Sequence, residues 1–208
     1  MIQRKGSYSV YVEMFVRSPG RPQRLGILPG SFNPPTVAHR ELVHAAAFHV
    51  DEVLCVLPRV FPHKEYFGAT LEQRLEMLRQ TDLATPHSIA ISERGLFLEI
   101  ARECREHYSP STELFFLCGT DAAERILNWD YGSPGILDQM LDEFELLVAA
   151  RGPAFEAPER YRHRIQPLRV DDLHHVSSTE VRARIKAGLA WEDLVPEKII
   201  ESVRKIYS

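Results

Sequence analysis

The sequence contains no long hydrophobic run and no excess of basic residues, and both absences argue against whole classes of protein. No stretch approaches the roughly 18 consecutive apolar residues that a membrane-spanning helix requires. The first residues, MIQRKGSYSVYVEMFV, lack the apolar core and the small-residue cleavage site of a secretory signal. The net charge of -4 disfavours a broad surface for nucleic acid. We therefore expect a cytoplasmic protein that binds neither a membrane nor nucleic acid and that meets an anionic ligand with a few local basic groups.

The sequence is also poor in cysteine. Its three cysteines, Cys55, Cys104 and Cys118, are odd in number and far apart, which argues against a disulfide framework and against a zinc site. We expect reduced, mostly buried thiols. The neighbouring His174 and His175 could not hold a metal ion without further ligands, because adjacent side chains rarely face one ion. We therefore expect no metal ion that is held by protein side chains alone.

The order of apolar and amphipathic segments predicts the fold. Short runs rich in Val, Ile, Leu and Phe, which are typical of strands buried on both faces, occupy residues 25–28, 53–57, 88–91, 113–117 and 146–149. Helical patterns lie between them at residues 39–48, 70–79, 96–106 and 122–127. The second of these begins with Thr-Leu-Glu-Gln, a capping box. This alternation predicts an α/β fold with a doubly wound, mostly parallel sheet and right-handed crossovers.

Two more helices follow near the end of the sequence. A capping box at residues 177–180 begins the first, and Gly188 is a suitable C-terminal stop for it. Pro196 begins the last helix, with apolar residues on one face, namely Ile199, Ile200, Val203 and Ile206. We predict that residues 24–208 form a single domain and that residues 1–23 form an N-terminal arm or an edge strand. Whether the chain forms a homo-oligomer stays open.

A first candidate site lies in LGILPGSFNPPTVAHREL, residues 25–42, where an apolar run passes through a turn rich in Gly and Pro and then opens a helix. Gly30 allows a backbone conformation closed to other residues and the close approach of a ligand. The amides of Ser31 and Phe32 can then point at phosphate oxygens, and His39 in the first helical turn can reach the same anion. The stretch is neither a dinucleotide fingerprint nor a P-loop. We interpret the stretch as a rigid phosphate cradle or, alternatively, as a Pro-rich turn with a capping His.

A second candidate site lies in VSSTEVRARI. The functional interpretation is an anion site made of exposed amides, the hydroxyls of Ser177, Ser178 and Thr179, and Arg182 one turn into the helix, which can grip phosphate with two N–H groups. The alternative is plain helix capping by Ser177 and Thr179. Two helix N-termini of this type in one α/β chain indicate a ligand with several phosphates.

Together these stretches resemble the nucleotidyltransferase superfamily and, within it, the nicotinate/nicotinamide mononucleotide adenylyltransferases. GSFNPPTVAH resembles the family's G-x-F-[DN]-P-x-[HT]-x-x-H turn, and SSTEVR resembles its I-S-S-T-x-[IV]-R helix start. LPRVFPHKEYFGATLEQRLEML is similar to the family's loop ending in P-H-K and the helix after it. ELFFLCGTDAAERILNWD is similar to its strand leading into G-x-D, with a Trp after it. The resemblance implies a Rossmann-like nucleotidyltransferase fold from about residue 25 to residue 184.

The resemblance also implies a reaction, which is attack by a mononucleotide phosphate on the α-phosphorus of ATP with release of pyrophosphate, in NAD synthesis. The attacking group is already an anion, so catalysis rests on positioning and on charge neutralisation. By resemblance, His39 would hold the α-phosphate with the help of Thr36. Lys64 and Arg182 would stabilise the triphosphate and the departing pyrophosphate, with the serines of the second stretch alongside.

The resemblance also implies how the metal ion, the nucleotide ribose and the pyridine ring would be bound. Magnesium would bridge phosphate oxygens mainly through water and substrate rather than in a protein cage. Asp121, which follows Gly119 in the G-x-D motif, would lie near the nucleotide ribose, and Trp129 would stack on the pyridine ring. Each has an alternative: Asp121 could cap the helix that follows it, and Trp129 could be an ordinary core or surface aromatic.

Two positions depart from the family pattern and leave the acceptor open. Thr36 stands where many bacterial members have His, and ERGLFLEI follows the third predicted strand where bacterial nicotinate enzymes have a P-S-Y-T-like stretch. The acceptor is therefore nicotinate or nicotinamide mononucleotide or, alternatively, phosphopantetheine or a sugar or alcohol phosphate. A module that senses ATP or NAD without turnover is the alternative from another class. All of these require the two candidate sites to meet on one polyphosphate.

Overall fold

A seven-stranded sheet organises the protein in a computed structural model that describes residues 12–59, 68–83, 85–93, 95–150, 155–170 and 175–208. The strands are β1 (Glu13–Val16), β2 (Arg24–Pro29), β3 (Glu52–Pro58), β4 (His87–Ser92), β5 (Glu113–Gly119), β6 (Glu145–Ala149) and β7 (Ile165–Leu168). Their spatial order is β1-β4-β3-β2-β5-β6-β7. Each neighbouring pair is parallel except β1 with β4. The predicted doubly wound, mostly parallel sheet is confirmed.

The helices of the described residues are α1 (Val37–Ala46), α2 (Leu71–Gln80), α3 (Phe97–Cys104), α4 (Thr120–Asn128), α5 (Ile136–Glu143), α6 (Ser178–Ala187) and α7 (Ile200–Tyr207). From β2 to α4 the helices alternate with the strands, and further helices follow β5 and β7. Helices α1 to α4 match the four predicted segments, with ends that differ by one or two residues. Within the same residues, none of the helices combines the length and the apolarity needed to cross a bilayer.

Side chains of the central strands alternate between two apolar layers. On β5, Leu114 and Phe116 pack in the layer that includes α3, α4 and α5, whereas Phe115 and Leu117 pack in the layer that includes α1 and α2. Because both faces of such a strand are covered, the sequence needs apolar residues at every position. This burial explains why the strands appear in the sequence as continuous apolar runs.

A third apolar cluster, separate from these layers, holds the C-terminal helices in place. Val181 of α6 and Val203 of α7 are fully buried in it together with Met77 of α2. Val37 and Ala38, at the start of α1, pack against the same cluster. The predicted apolar face of the last helix is confirmed, because its members lie in or against this cluster: Ile199, Ile200, Val203 and Ile206. The cluster therefore brings the start of α6 next to the start of α1.

Of the two predicted capping boxes, one is complete. The Thr70 amide donates to Gln73 Oε1 at 2.8 Å, and Thr70 Oγ1 accepts from the Gln73 amide at 3.3 Å. At α6 only half of the predicted box forms, since Ser177 Oγ accepts from the Glu180 amide at 3.0 Å. The Glu180 carboxylate accepts instead from Arg184 Nε at 2.7 Å, one turn further along.

The structure contains elements that the sequence patterns did not predict. Helix α5 begins after Gly135, which offers no capping side chain, and β7 is a short edge strand that contains Pro167. In the predicted N-terminal arm, residues 13–16 form β1, an antiparallel edge strand, whereas residues 1–11 lie outside the described part of the chain. The division of the chain between residues 23 and 24 stays a prediction.

The three thiols are free and buried, as predicted. Burial raises the pKa of Cys55, of Cys104 and of Cys118 to about 12 in each case. Each thiol therefore stays protonated at neutral pH and behaves as a small apolar side chain.

Glu103, on α3, has a buried carboxyl group. It is 6% exposed, and its Oε2 has no hydrogen-bond partner among the described residues. Loss of water raises its pKa to about 7, and the nearby charges of Glu99, Glu93 and Glu106 act in the same direction. The buried side chain is therefore favoured in its neutral form.

This burial predicts a pH dependence of stability. Because the pKa of Glu103 is raised from 4.5 to about 7 on folding, the folded state binds more protons in that range, and the stabilisation is lost as the pH rises through about 7. Glu103→Gln removes the titration, so its free energy of unfolding should exceed that of the wild type by a margin that grows with pH. We expect roughly 1 kcal/mol or more at about pH 8, measured by urea unfolding. Glu124→Gln, exposed on α4, serves as the control, and a margin independent of pH would contradict the prediction.

Candidate active site

The place where the strand order reverses lies between β2 and β5, and both strands end there in loops that lead into helices. From β2 the chain continues to β3 and β4 on one side, whereas β5 begins on the other side. Ligands of such sheets bind outside the carboxyl ends of the strands at this point. The register pairs Ile27 of β2 with Phe116 of β5. Continuing this pairing for three residues places Gly30 opposite Gly119. The structure therefore brings these two predicted site residues to the same edge of the sheet.

In the turn after β2, the residue that adopts the unusual backbone conformation is not the one that was predicted. The Gly30 amide donates to the Val56 carbonyl at 3.0 Å, and Gly30 does not have a left-handed φ. The left-handed residue is Phe32, with a φ of 46°. A side chain at residue 30 would be crowded for another reason: a Cβ atom there would lie 3.1 Å from the ring of Phe32, so the ring would have to shift. The prediction that Gly30 itself needs a conformation closed to other residues is therefore wrong, because Gly30 has an ordinary φ and the close approach of the Phe32 ring is what disfavours a side chain there.

A buried arginine orients the next peptide group. Arg74 of α2 is 2% exposed, and its Nη1 donates to the Ser31 carbonyl at 3.0 Å. The peptide bond between Ser31 and Phe32 is trans, so its N–H points away from its carbonyl. The Phe32 amide is therefore directed away from Arg74, which suits the predicted use of this amide as a phosphate donor. No local sequence pattern assigns Arg74 to this loop, because its contact joins residues 43 positions apart.

Thr36 and His39 form a local unit at the start of α1. Thr36 is the N-cap residue and is fully buried. Its amide donates to His39 Nδ1 at 3.0 Å, and its Oγ1 lies 2.7 Å from the same nitrogen. A ring nitrogen that accepts from an amide carries no proton of its own, so the neutral imidazole is assigned with its proton on Nε2. Thr36 thus holds the ring of His39 in an orientation in which Nε2 can donate.

Helix α6 contributes two donors to the same loop. Ser178 Oγ donates to the Pro34 carbonyl at 2.8 Å, and Arg182 Nη1 donates to the Asn33 carbonyl. Both carbonyls precede a proline, so neither peptide group has an N–H. Each of these peptide groups would therefore present only its negatively polarised carbonyl oxygen to an anion. The α6 donors therefore neutralise the two groups of this loop that would repel a phosphate.

The two candidate sites consequently meet. The His39 and Arg182 side chains both contact residues 33–36, and the N-termini of α1 and α6, each with a positive partial charge, lie beside this segment. Thr179 Oγ1 lies 3.4 Å from Arg182 Nη2. The capping alternative also holds in part, since Ser177 caps α6. Capping alone does not account for the donors that α6 directs to another part of the chain.

The other predicted site residues are distributed along α4 and beyond the described residues. Asp121 is exposed in the first turn of α4, whose N-cap is Gly119, so Asp121 does not occupy the capping position. Trp129 lies at the opposite end of α4, is 52% exposed, and lines an open depression of about 440 Å³ formed by residues 129–137. Trp129 is therefore not a core residue. Lys64, like His63 and His174, lies outside the described residues.

The chain is similar to proteins of one kind in three comparisons. The model of the Cytidylyltransferase-like family matches residues 27–184. "Probable nicotinate-nucleotide adenylyltransferase" from Moorella thermoacetica is 30% identical over 203 residues, which cover 88% of this chain and 90% of that protein. A protein of the same name from Thermus thermophilus is 30% identical over 194 residues, with 88% and 97% covered. The structure of Plasmodium falciparum nicotinic acid mononucleotide adenylyltransferase complexed with NaAD has a TM-score of 0.65 at 17% identity, with 88% and 95% covered, and shows the same fold.

The contact between Gly30 and Phe32 predicts a stability difference between two glycines. In Gly30→Ala the new Cβ would displace the ring of Phe32, so we expect a loss of about 1–3 kcal/mol in the free energy of unfolding. In Gly20→Ala the nearest atoms lie 3.9 Å from the new Cβ, so the change should be close to neutral. Denaturant unfolding of both variants measures the difference, and equal effects would show that the ring does not exclude a side chain at residue 30.

Proposed function

This nucleotidyltransferase belongs to the Cytidylyltransferase-like family, and we propose that it joins AMP from ATP to nicotinate or nicotinamide mononucleotide, releasing pyrophosphate, in NAD synthesis. The observation that carries the proposal is the meeting of α1 and α6 at residues 33–36, which surrounds one loop with donors suited to a polyphosphate. The relatives at 30% identity, named for the nicotinate reaction, support the choice of acceptor. We place the reaction in the cytoplasm, with small molecules as its partners.

The reaction needs little covalent help from the protein. An oxygen of the mononucleotide phosphate attacks the α-phosphorus of ATP, and the bond from that phosphorus to the oxygen bridging the α- and β-phosphates breaks. Pyrophosphate leaves with the bonding electron pair. Because the attacking phosphate is already an anion, no side chain has to remove a proton from it. The work of the protein is to position the two phosphates and to neutralise the charge that accumulates between them.

His39 acts on the transferred phosphate in this proposal. Its Nε2–H donates to a non-bridging oxygen of the α-phosphate, where negative charge changes during the transfer. Thr36 is buried and contacts His39 Nδ1, so we assign it the role of fixing the His39 ring. The Phe32 amide, directed away from Arg74 by the contact between Arg74 and the Ser31 carbonyl, supplies a further donor.

The cations act on the leaving group. Arg182 neutralises the β- and γ-phosphates, assisted by the hydroxyls of Ser177 and Thr179 and by the N-terminus of α6. Lys64 is assigned to the same phosphates by family resemblance alone. Asp121 is assigned to the nucleotide ribose, and Trp129 to stacking on the pyridine ring, which its exposed position at the end of α4 permits.

The residues present fit magnesium that arrives with ATP. The groups gathered around residues 33–39 are N–H and O–H donors and an arginine, which suit phosphate oxygens rather than a bare cation. Across the described ranges there is no group of three or more His, Cys, Asp or Glu side chains arranged to hold a metal ion. The chemistry that Mg²⁺ arriving with ATP would supply is to offset the charge of the phosphates that these donors hold.

The acceptor is tested by measuring pyrophosphate release from ATP in the presence of separate acceptors. We expect release with nicotinate mononucleotide, nicotinamide mononucleotide or both, and none with phosphopantetheine. Release with phosphopantetheine alone would move the protein to another acceptor with the same chemistry. Tight binding of ATP without turnover in the whole panel would favour the nucleotide-sensing alternative.

The role of His39 predicts a large loss of turnover on truncation. His39→Ala should lower kcat by at least about 10²-fold, the scale of losing one oriented donor to a developing charge. His44→Ala is the matched control, because His44 is exposed in the last turn of the same helix. Near-normal turnover in folded His39→Ala would remove His39 from the reacting phosphate.

A further inference from the structure

Asn33 joins three distant parts of the chain through its side chain and its backbone carbonyl. It is 6% exposed, and its Oδ1 accepts from the Ala69 amide at 3.3 Å and from the Tyr207 hydroxyl of α7. Its backbone carbonyl accepts from Arg182 of α6. One residue of the phosphate loop is therefore held by the segment before α2, by α6 and by α7.

The packing around this junction is tight. Gly68 has a φ of 107°, and a Cβ atom there would lie 3.0 Å from Asn33 Oδ1 and 3.2 Å from the Tyr207 ring. The segment before α2 can approach Asn33 and Tyr207 this closely because residue 68 has no side chain. The hydrogen bond from Tyr207 to Asn33 is thus formed inside a close-packed environment, which resists rearrangement.

The junction adjoins the residue with the most costly backbone conformation of the loop. A left-handed φ at an aromatic residue such as Phe32 is unfavourable and persists only where neighbouring contacts determine it. Arg74 holds the carbonyl of the preceding residue, Ser31. Tyr207 and Ala69 hold the side chain of the following residue, Asn33.

We propose that Tyr207 is a positioning residue for the triphosphate. By fixing Asn33, its hydroxyl keeps the Phe32 amide and the Arg182 guanidinium in the arrangement that receives the phosphates. Tyr207 itself does not touch the substrate. The proposal rests on the proposed function only for the identity of ATP as the ligand.

The tyrosine hydroxyl can be removed without removing the ring. Tyr207 packs against the apolar cluster that holds α6 and α7, so Tyr207→Phe keeps this packing and deletes only the donor. Tyr161→Phe provides a matched control, since the Tyr161 hydroxyl donates to Asp138 Oδ1 at 3.0 Å, and neither residue is placed at the phosphate loop. Both variants make the same chemical change at a tyrosine that donates to a side chain.

The experiment compares steady-state kinetics of the two variants with those of the wild type. In Tyr207→Phe, kcat/KM for ATP should fall by roughly tenfold, the scale of removing one of the two hydrogen bonds that hold the Asn33 side chain, whereas KM for the mononucleotide should change by less than about twofold. Tyr161→Phe should match the wild type in both. A lower unfolding temperature of Tyr207→Phe with unchanged kcat/KM for ATP would overturn the proposal, because a merely structural role gives that result.

A binding measurement separates this inference from the proposed function. Titration calorimetry with Mg²⁺ and α,β-methylene-ATP, which cannot be turned over at the α-phosphate, should show a Kd roughly tenfold weaker for Tyr207→Phe than for the wild type. That weakening would support the role of Tyr207 even if no mononucleotide serves as acceptor. The inference is overturned, and the proposed function stands, if the wild type shows turnover and Tyr207→Phe has the same Kd for the analogue and the same kinetics as the wild type. Failure of the wild type to bind the analogue would overturn both.

Discussion

The site depends on the hydrogen bonds that α6 donates to two carbonyl groups of the loop after β2. Those carbonyls precede prolines, so their peptide groups have no N–H and can only accept. Left without donors beside a polyphosphate, they would oppose its charge at short range. Ser178 and Arg182 satisfy them, and in doing so they fix the N-terminus of α6 at the N-terminus of α1. One pair of contacts therefore both removes a repulsive element and brings together two positive helix ends.

Most of the fold could be predicted from the sequence because its signals are local. Strands covered on both faces are continuous apolar runs, and the Thr70 capping box marks the start of α2 within four residues. The elements that were not predicted lack such signals. Gly135 precedes α5 without a capping side chain, and Pro167 interrupts the short apolar pattern of β7, which lies at an edge and is paired on one side in the sheet. In both cases packing against the rest of the fold stabilises the element, because the local sequence has no capping or strand signal.

The sequence predicts the side chains that could donate to a phosphate. It does not predict the distant residues that hold the loop in place. His39 and Arg182 carry their chemistry in their side chains and lie beside recognisable helix starts, so the sequence was sufficient to select them. The left-handed φ of Phe32 is contrary to the preference of a bulky residue and arises only because distant contacts hold the loop. Those contacts come from Arg74 and Tyr207, which are 43 and 174 residues away from their partners. A local pattern cannot contain pairings of that range.

The burial of all three thiols also determines how the protein can be labelled. With each pKa at about 12, almost no thiolate is present at neutral pH, so maleimides and other alkylating reagents find no reactive natural cysteine. A single cysteine introduced on an exposed helix would then take a fluorophore or a spin label alone. Two such positions, one on α1 and one on α6, would report the separation of these helices by spectroscopy in an otherwise native protein.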